Sequence, residues 1–261
     1  MGETDTEQTF WDHLDELRGA IVRIVCAALL CGVVLFFFKE LLFDVILAPT
    51  NSDFITYTLL NKVGSLTGAS IEPFSIDLIN TTLASQFLIH MRTAFLGGAV
   101  CASPYILFCI MRFIAPALYS SERKTVFTVV TSGYIMFLLG VLLSYFVIFP
   151  LTFHFLGTYQ VSGKVENLIS LDSYISTFVQ MGLLLGLVFE LPMICWLIAK
   201  MGLIKASLMR DYRRHAIVLI LIVAAIITPT ADVFTLTLVS LPMWLLYEVS
   251  IGIVSKTNKT A

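Results

Sequence analysis

Apolar residues along this chain fall into long unbroken runs rather than alternations. Runs at approximately 19–38, 83–109, 126–149, 174–199, 215–228 and 233–250 predict an all-α, polytopic membrane protein with six transmembrane helices, read as one membrane domain over 1–261. Barrel strands would alternate polar and apolar positions, and these segments do not. The second run is long enough for its start to project beyond the bilayer, placing Arg92 near the outer interface. The fifth run, of about 14 residues, spans only about 21 Å. Pro229 and Asp232 close it tightly, and the sixth run carries Pro242 and Glu248, so the last two helices are expected to be short. Two short helices in one corner imply local bilayer thinning or shielding by partner helices. The connection between the first two runs opens with KELLFDVILAP, a short amphipathic segment ended by Pro49 and suited to the outer membrane surface.

Composition supports this reading: 58% of the 261 residues are hydrophobic and only 13% are charged, unlike a soluble domain. The basic residues fix an orientation. Arg18, Arg112, Arg123, Lys124, Lys200, Lys205, Arg210, Arg213, Arg214, Lys256 and Lys259 occupy one set of flanks, eleven of the sixteen, while the opposite loops hold Lys39, Lys62 and Lys164. The positive-inside rule then puts both termini and the 110–125 and 200–214 segments in the cytoplasm. Glu3, Asp5, Glu7, Asp12, Asp15 and Glu16 precede the first run with a single arginine, which is no signal-peptide n-region, so that run is expected to remain as a span. Five cysteines without C-x-x-C spacing read as small hydrophobes. The four histidines are scattered, and neither a nucleophile–base motif nor a glycine-rich phosphate loop occurs. No metal, cofactor or enzymatic activity is expected.

Three acidic features stand out from the apolar background. WDHLDELR, at 11–18, crowds carboxylates at the mouth of the first span; Thr9 and Asp12 fit a capping-box variant, and Asp12, Glu16, Gly19 and Arg23 share one helix face. FIAPALYSSERK, at 113–124, presents Glu122 after Ser120, which is ordinary helix-start chemistry when taken alone. Together, two acids on one basic cytoplasmic face fit a receptor for a cationic partner, because carboxylates accept guanidinium groups bidentately. LVFELPMICW holds Glu190 among apolar residues, where an ionisable group marks function by default, and Pro192 should bend the span beside it. Gln86, His90 and Arg92 are read as marking where the second helix meets water.

HLDELR before the first run, FIAPALYSSERK after the second, SYFVIFPL closing the third, FELP in the fourth and TPTADVF between the last two, in that order, resemble the TatC family, the multispanning receptor of the twin-arginine protein translocase. The resemblance covers nearly the whole chain. It implies a six-helix, cup-shaped protein of the cytoplasmic (inner) membrane that binds twin-arginine signal peptides of folded proteins. It also implies assembly with single-span TatA- or TatB-type partners into a multimeric complex in the lipid bilayer. Transport would be driven by the protonmotive force, with no nucleic acid and no cofactor involved. By position, the resemblance assigns signal-peptide binding to Glu16, Glu122, Phe113 and Arg18, and intramembrane or partner contact to Glu190, Asp232 and Pro49. The turn TPTADVFTL departs from the family pattern TPPDVFSQ by one extra residue and by Leu236 in place of a glutamine, and Ser120-Ser121 replaces a basic and polar pair. A rival reading is a small proton-coupled secondary transporter using Glu190, although the two halves of the chain show no inverted repeat. A third, a structural assembly hub, would keep the partners and lack arginine binding.

Overall fold

The computed structural model describes residues 10–67, 76–114, 126–160, 162, 167–230 and 232–260. Helices α1 (Phe10–Phe37), α4 (Ser85–Ile114), α5 (Val126–Leu143), α7 (Leu171–Phe189), α8 (Leu191–Lys200), α10 (Arg213–Ile227) and α11 (Val233–Thr260) follow the apolar runs. Shorter helices α2 (Lys39–Leu47), α3 (Ile55–Thr67), α6 (Phe149–Thr158) and α9 (Ala206–Asp211) lie between or continue them. The third span is composite: α5 passes through a five-residue π-helical segment, Ser144–Ile148, into α6. The fourth is also composite, α7 and α8 being joined at Glu190.

Among the described residues, five stretches are long and apolar enough to cross a membrane: Leu14–Phe37, Ser85–Ile114, Val129–Thr158, Leu171–Lys200 and Val233–Asn258. The fifth apolar run folds as expected into a short helix, α10, of 15 residues. The sixth does not stay short. Helix α11 has 28 residues and carries Pro242 inside it. Its apolar run ends near residue 250, but Ile251, Val254 and Thr257 are buried, the first two in a cluster with Ala199, Ala206 and Met209. Tertiary packing therefore extends the helix beyond the point where hydropathy fades.

The chain divides into two compact units. The first comprises residues up to Phe37 and Ala94–Tyr134. In it α1 and α4 meet through small residues: a Cβ on Gly98 would lie 2.3 Å from Gly32 N and 2.8 Å from Ala28 O, so only glycine permits this approach. The second comprises Phe38–Thr93 and Ile135–Ala261. Its core gathers Phe149, Met181, Leu185, Ile227, Val239 and Met243. Two-residue strands β1 (Leu78–Ile79) and β2 (Ile169–Ser170) pair in parallel, Leu78 opposite Ile169, an addition to the expected all-helical architecture. The pairing satisfies backbone groups in two connections that carry no helix at these residues. Gln86 and Arg92 are exposed, as a helix emerging into water requires, whereas His90 is buried against Phe43, with ring centroids 5.7 Å apart.

Candidate functional site

The break at Glu190 follows from the sequence FELP. Pro192 has no N–H, so the carbonyl of Val188 loses its i+4 donor and α7 must end. The Glu190 N–H reaches Leu187 O at 3.1 Å, an i→i−3 bond, and α8 restarts with Ile194 N–H donating to Glu190 O at 2.9 Å. One turn earlier, a Cβ on Gly186 would lie 2.8 Å from the Phe137 ring, and one on Gly140 would lie 2.7 Å from Leu185 O. Close backbone packing of α5 on α7 thus fixes the stretch that presents the carboxyl. Glu190 is 7% exposed, and its Oε1 has no hydrogen-bond partner among the described residues. A charged group at the centre of a span costs roughly 2.5–3.5 kcal/mol when unpaired. Such a carboxyl is suited to hold a proton or to accept a hydrogen bond from a polar group brought alongside.

Pro49 lies in a different kind of setting. It is buried in a 3₁₀ turn, Ala48–Thr50, that follows α2. The final carbonyls of α2, orphaned as at any helix end, receive side-chain hydroxyls. Tyr145 donates to Val45 O at 2.9 Å, Tyr174 to Ile46 O at 2.8 Å and Thr50 to Leu47 O at 2.7 Å. The Tyr57 hydroxyl sits 3.2 Å from Pro49 O and 2.9 Å from Pro150 O, linking the turn to the start of α6. Thr56 donates to Phe146 O inside the π segment, and the Phe54 ring stacks on Phe146 at 6.0 Å. Burial raises the Tyr57 hydroxyl pKa above the ordinary tyrosine range, which keeps the donor protonated.

Glu16 is half-buried on α1 and Arg18 exposed; Phe113, near the end of α4, is half-buried. All three belong to the first unit. Gly98 packs on Ala28 and Gly32 on Phe95, so α1 and α4 run antiparallel in this unit. Thr9, Ser120 and Glu122 lie outside the described residues, as does the side chain of Asp12.

Asp232 has a complete set of partners at the start of α11. Its Oδ1 accepts from Thr235 N–H at 2.8 Å, the bond of an N-cap, and its Oδ2 accepts from the Thr230 hydroxyl at 2.7 Å. Burial pushes its pKa up, but the backbone and hydroxyl donors of Thr235 and Thr230 outweigh that and leave it below the usual carboxylate range. Thr230, part of the departure TPTADVF, thus supplies one of the donors.

The family model for the Sec-independent protein translocase protein TatC matches residues 12–242. The chain belongs to the TatC family. It is a multi-pass membrane protein, similar over nearly its whole length to TatC proteins of diverse bacteria. The Sec-independent protein translocase protein TatC of Blattabacterium (Periplaneta americana) is 35% identical over 259 residues, covering 97% of each chain. Those of Deinococcus radiodurans and Aquifex aeolicus are 31% and 32% identical, each over 92% of this chain and 83% and 92% of their own. A crystal structure of the twin-arginine translocase receptor TatC superposes with a TM-score of 0.75 at 29% identity, covering 94% of this chain and 99% of that one.

Within this TatC-family chain, the sequence did not point to the hydroxyl donors Thr56, Tyr57, Tyr145 and Tyr174. The available signal was the placement of Tyr145 and Tyr174 inside otherwise apolar runs, where a phenol needs a partner. What could not be read was that their acceptors lie about a hundred residues earlier, at Val45 and Ile46.

Proposed function

We propose that this chain is the receptor subunit of a twin-arginine protein translocase. It binds the signal peptides of folded proteins at its cytoplasmic end and assembles with TatA- or TatB-type single-span partners. It lies in the cytoplasmic membrane with both termini inside, and transport is driven by the protonmotive force. The observation that carries this reading is the match, across 94% of the chain, to the solved twin-arginine translocase receptor. Glu16 and Glu122 are the two carboxylates of the signal site, with Phe113 and Arg18 beside them. Glu190 is the acceptor offered to a partner helix or an inserted signal. Catalysis plays no part.

Arginine presents a planar fork of donors, whereas lysine offers a point charge. A charge-assisted hydrogen bond contributes roughly 1.5–3 kcal/mol, or about ten- to a hundredfold in affinity. Glu16→Gln and Glu122→Gln should each weaken binding of a twin-arginine peptide to the protein in nanodiscs by that factor. Replacing the peptide's arginines by lysines should hurt the wild type far more than the double variant. Equal losses for both receptors would leave the acids with helix-start chemistry only. For orientation, cysteines placed at Ser65 and Asn258, both exposed, should react with an impermeant reagent from outside and inside respectively.

The unpartnered Glu190 also fits a proton-coupled transporter. That reading requires solute uptake with protons into vesicles containing this chain alone, and loss of uptake in Glu190→Gln.

A further inference from the structure

We propose that the connection from Met201 to Tyr212, together with the start of α10, forms a binding site for the phosphate headgroup of an anionic phospholipid. Helix α8 ends in a fixed turn. Gly202, at φ 76°, takes the left-handed conformation, its N–H donates to Ala199 O at 3.0 Å, and Leu203 N–H donates to Ile198 O at 3.1 Å. Helix α9 is pinned by its buried Ala206 and Met209 and by the Tyr247 hydroxyl, which donates to Met209 O at 2.7 Å. Between them lies a cavity of about 410 Å³ whose lining includes Lys205, Ser207 and Tyr212. That volume is ample for a phosphodiester and its glycerol.

The charges of this segment are unequal in their freedom. Arg213 is neutralised by Glu248 at 2.6 Å. Lys205, Arg210 and Arg214 are exposed and have no ion pair among the described residues. Of the charged side chains in this segment, Lys205 and Asp211 line the cavity, and Arg210 and Arg214 are near them in sequence. At the same level Leu203, Leu208 and Tyr212 are 69%, 50% and 55% exposed, which is costly in water and natural at the boundary of an acyl layer. Three unpaired cations in one short exposed segment, one of them lining the cavity, beside exposed apolar side chains and an interfacial tyrosine fit a lipid that brings both an anion and a hydrocarbon chain. A soluble phosphate would satisfy the cations and leave the apolar belt uncovered.

The test is native mass spectrometry of the full chain titrated with phosphatidylglycerol or phosphatidylcholine. Wild type should retain phosphatidylglycerol in preference to phosphatidylcholine. Lys205→Gln/Arg214→Gln should lower that retention by about fivefold per charge removed. Lys39→Gln/Lys62→Gln, with the same change in net charge, should leave it unaltered. Leu203→Ser/Tyr212→Ser should also lower it, and millimolar inorganic phosphate should not displace the lipid. Equal retention in the two charge-matched variants, or equal retention of the two lipids, would overturn the proposal. Displacement by inorganic phosphate, with no effect of Leu203→Ser/Tyr212→Ser, would overturn it in favour of a free-phosphate site.

Discussion

The third and fourth spans of this TatC-family protein are both broken two residues before or beside a proline, and they resolve the break in opposite ways. In the third, the π segment Ser144–Ile148 precedes Pro150, and the disturbed backbone is covered. Thr56 donates to Phe146 O and Tyr57 to Pro150 O, while Phe54 packs on the Tyr145 and Phe146 rings. In the fourth, the break at Glu190 before Pro192 is set in an apolar core with Oε1 unpartnered among the described residues. A sealed break is a structural joint, since acceptors at it, Phe146 O and Pro150 O, have been given donors from the same chain. An open one leaves a demand that a proton, water or another molecule has to meet.

The largest expected effect comes from unsealing the third span. Tyr57 is 1% exposed, and Tyr57→Ala removes both its ring and its hydroxyl, which should cost about 3–5 kcal/mol by cavity formation. Tyr57→Phe keeps the ring and should cost about 1–3 kcal/mol, for the acceptors left without a donor. Thermal unfolding in detergent measures both. The sign with pH follows from the raised hydroxyl pKa: the stabilisation is fully present below about pH 10 and is lost as pH rises through the higher folded value. If Tyr57→Ala unfolds with the wild type, the hydroxyl seal does not hold the joint.

Next in size is the open break. Replacing Glu190 by leucine should leave thermal stability equal to or above that of the wild type, because an unsatisfied buried carboxyl is removed. Under the proposed function the same change removes the acceptor for a partner or signal, so transport should fall by about ten- to a hundredfold, the worth of a hydrogen bond to a charged group. Full export by Glu190→Leu, or a loss of stability comparable to that of Tyr57→Ala, would erase the distinction between the two breaks.

Legibility in sequence followed the range of the physics. Apolar runs announced the spans because hydropathy is local, and FELP announced a bend because proline acts on its own i−4 carbonyl. The length of α11 was hidden, since it depends on Ile251 and Val254 packing beside Ala199 and Met209 some fifty residues earlier. Tyr57 carried no local mark at all; its role comes from Pro150, 93 positions later. Of the site residues, Glu190 stood out as an ionisable group in an apolar run. Asp232 looked equally exceptional, but the donors that explain it lie two and three residues away, in a capping pattern the turn TPTADVF contains.

A smaller effect sharpens the sealed side of the comparison. Tyr145→Phe removes one donor to Val45 O from a half-buried ring and should cost about 0.5–1.5 kcal/mol, measured as a shift in the unfolding midpoint. It should reduce the stabilisation contributed by Tyr57 when the two are combined, since both hydroxyls hold the same turn after α2. Strict additivity would mean that the hydroxyls act as separate clasps.

The smallest effect, that of Asp232→Asn, belongs to a comparison of two carboxylates in opposite surroundings. Asp232 receives donors from Thr230 and Thr235, whereas Glu190 Oε1 has none among the described residues. Asp232→Ala removes an N-cap and should cost about 0.5–2 kcal/mol, while Asp232→Asn, which keeps an acceptor, should cost only a few tenths. The folded carboxyl of Asp232 titrates below its ordinary value, so the charge-dependent part of its stabilisation is present above about pH 4 and is lost as pH falls through the folded value. Wild type and Asp232→Asn should therefore differ slightly at neutral pH and converge in acid. Unfolding midpoints measured from pH 7 down to pH 3 test this: a gap that widens on acidification would mean that the protonated carboxyl, rather than the carboxylate, is the better cap.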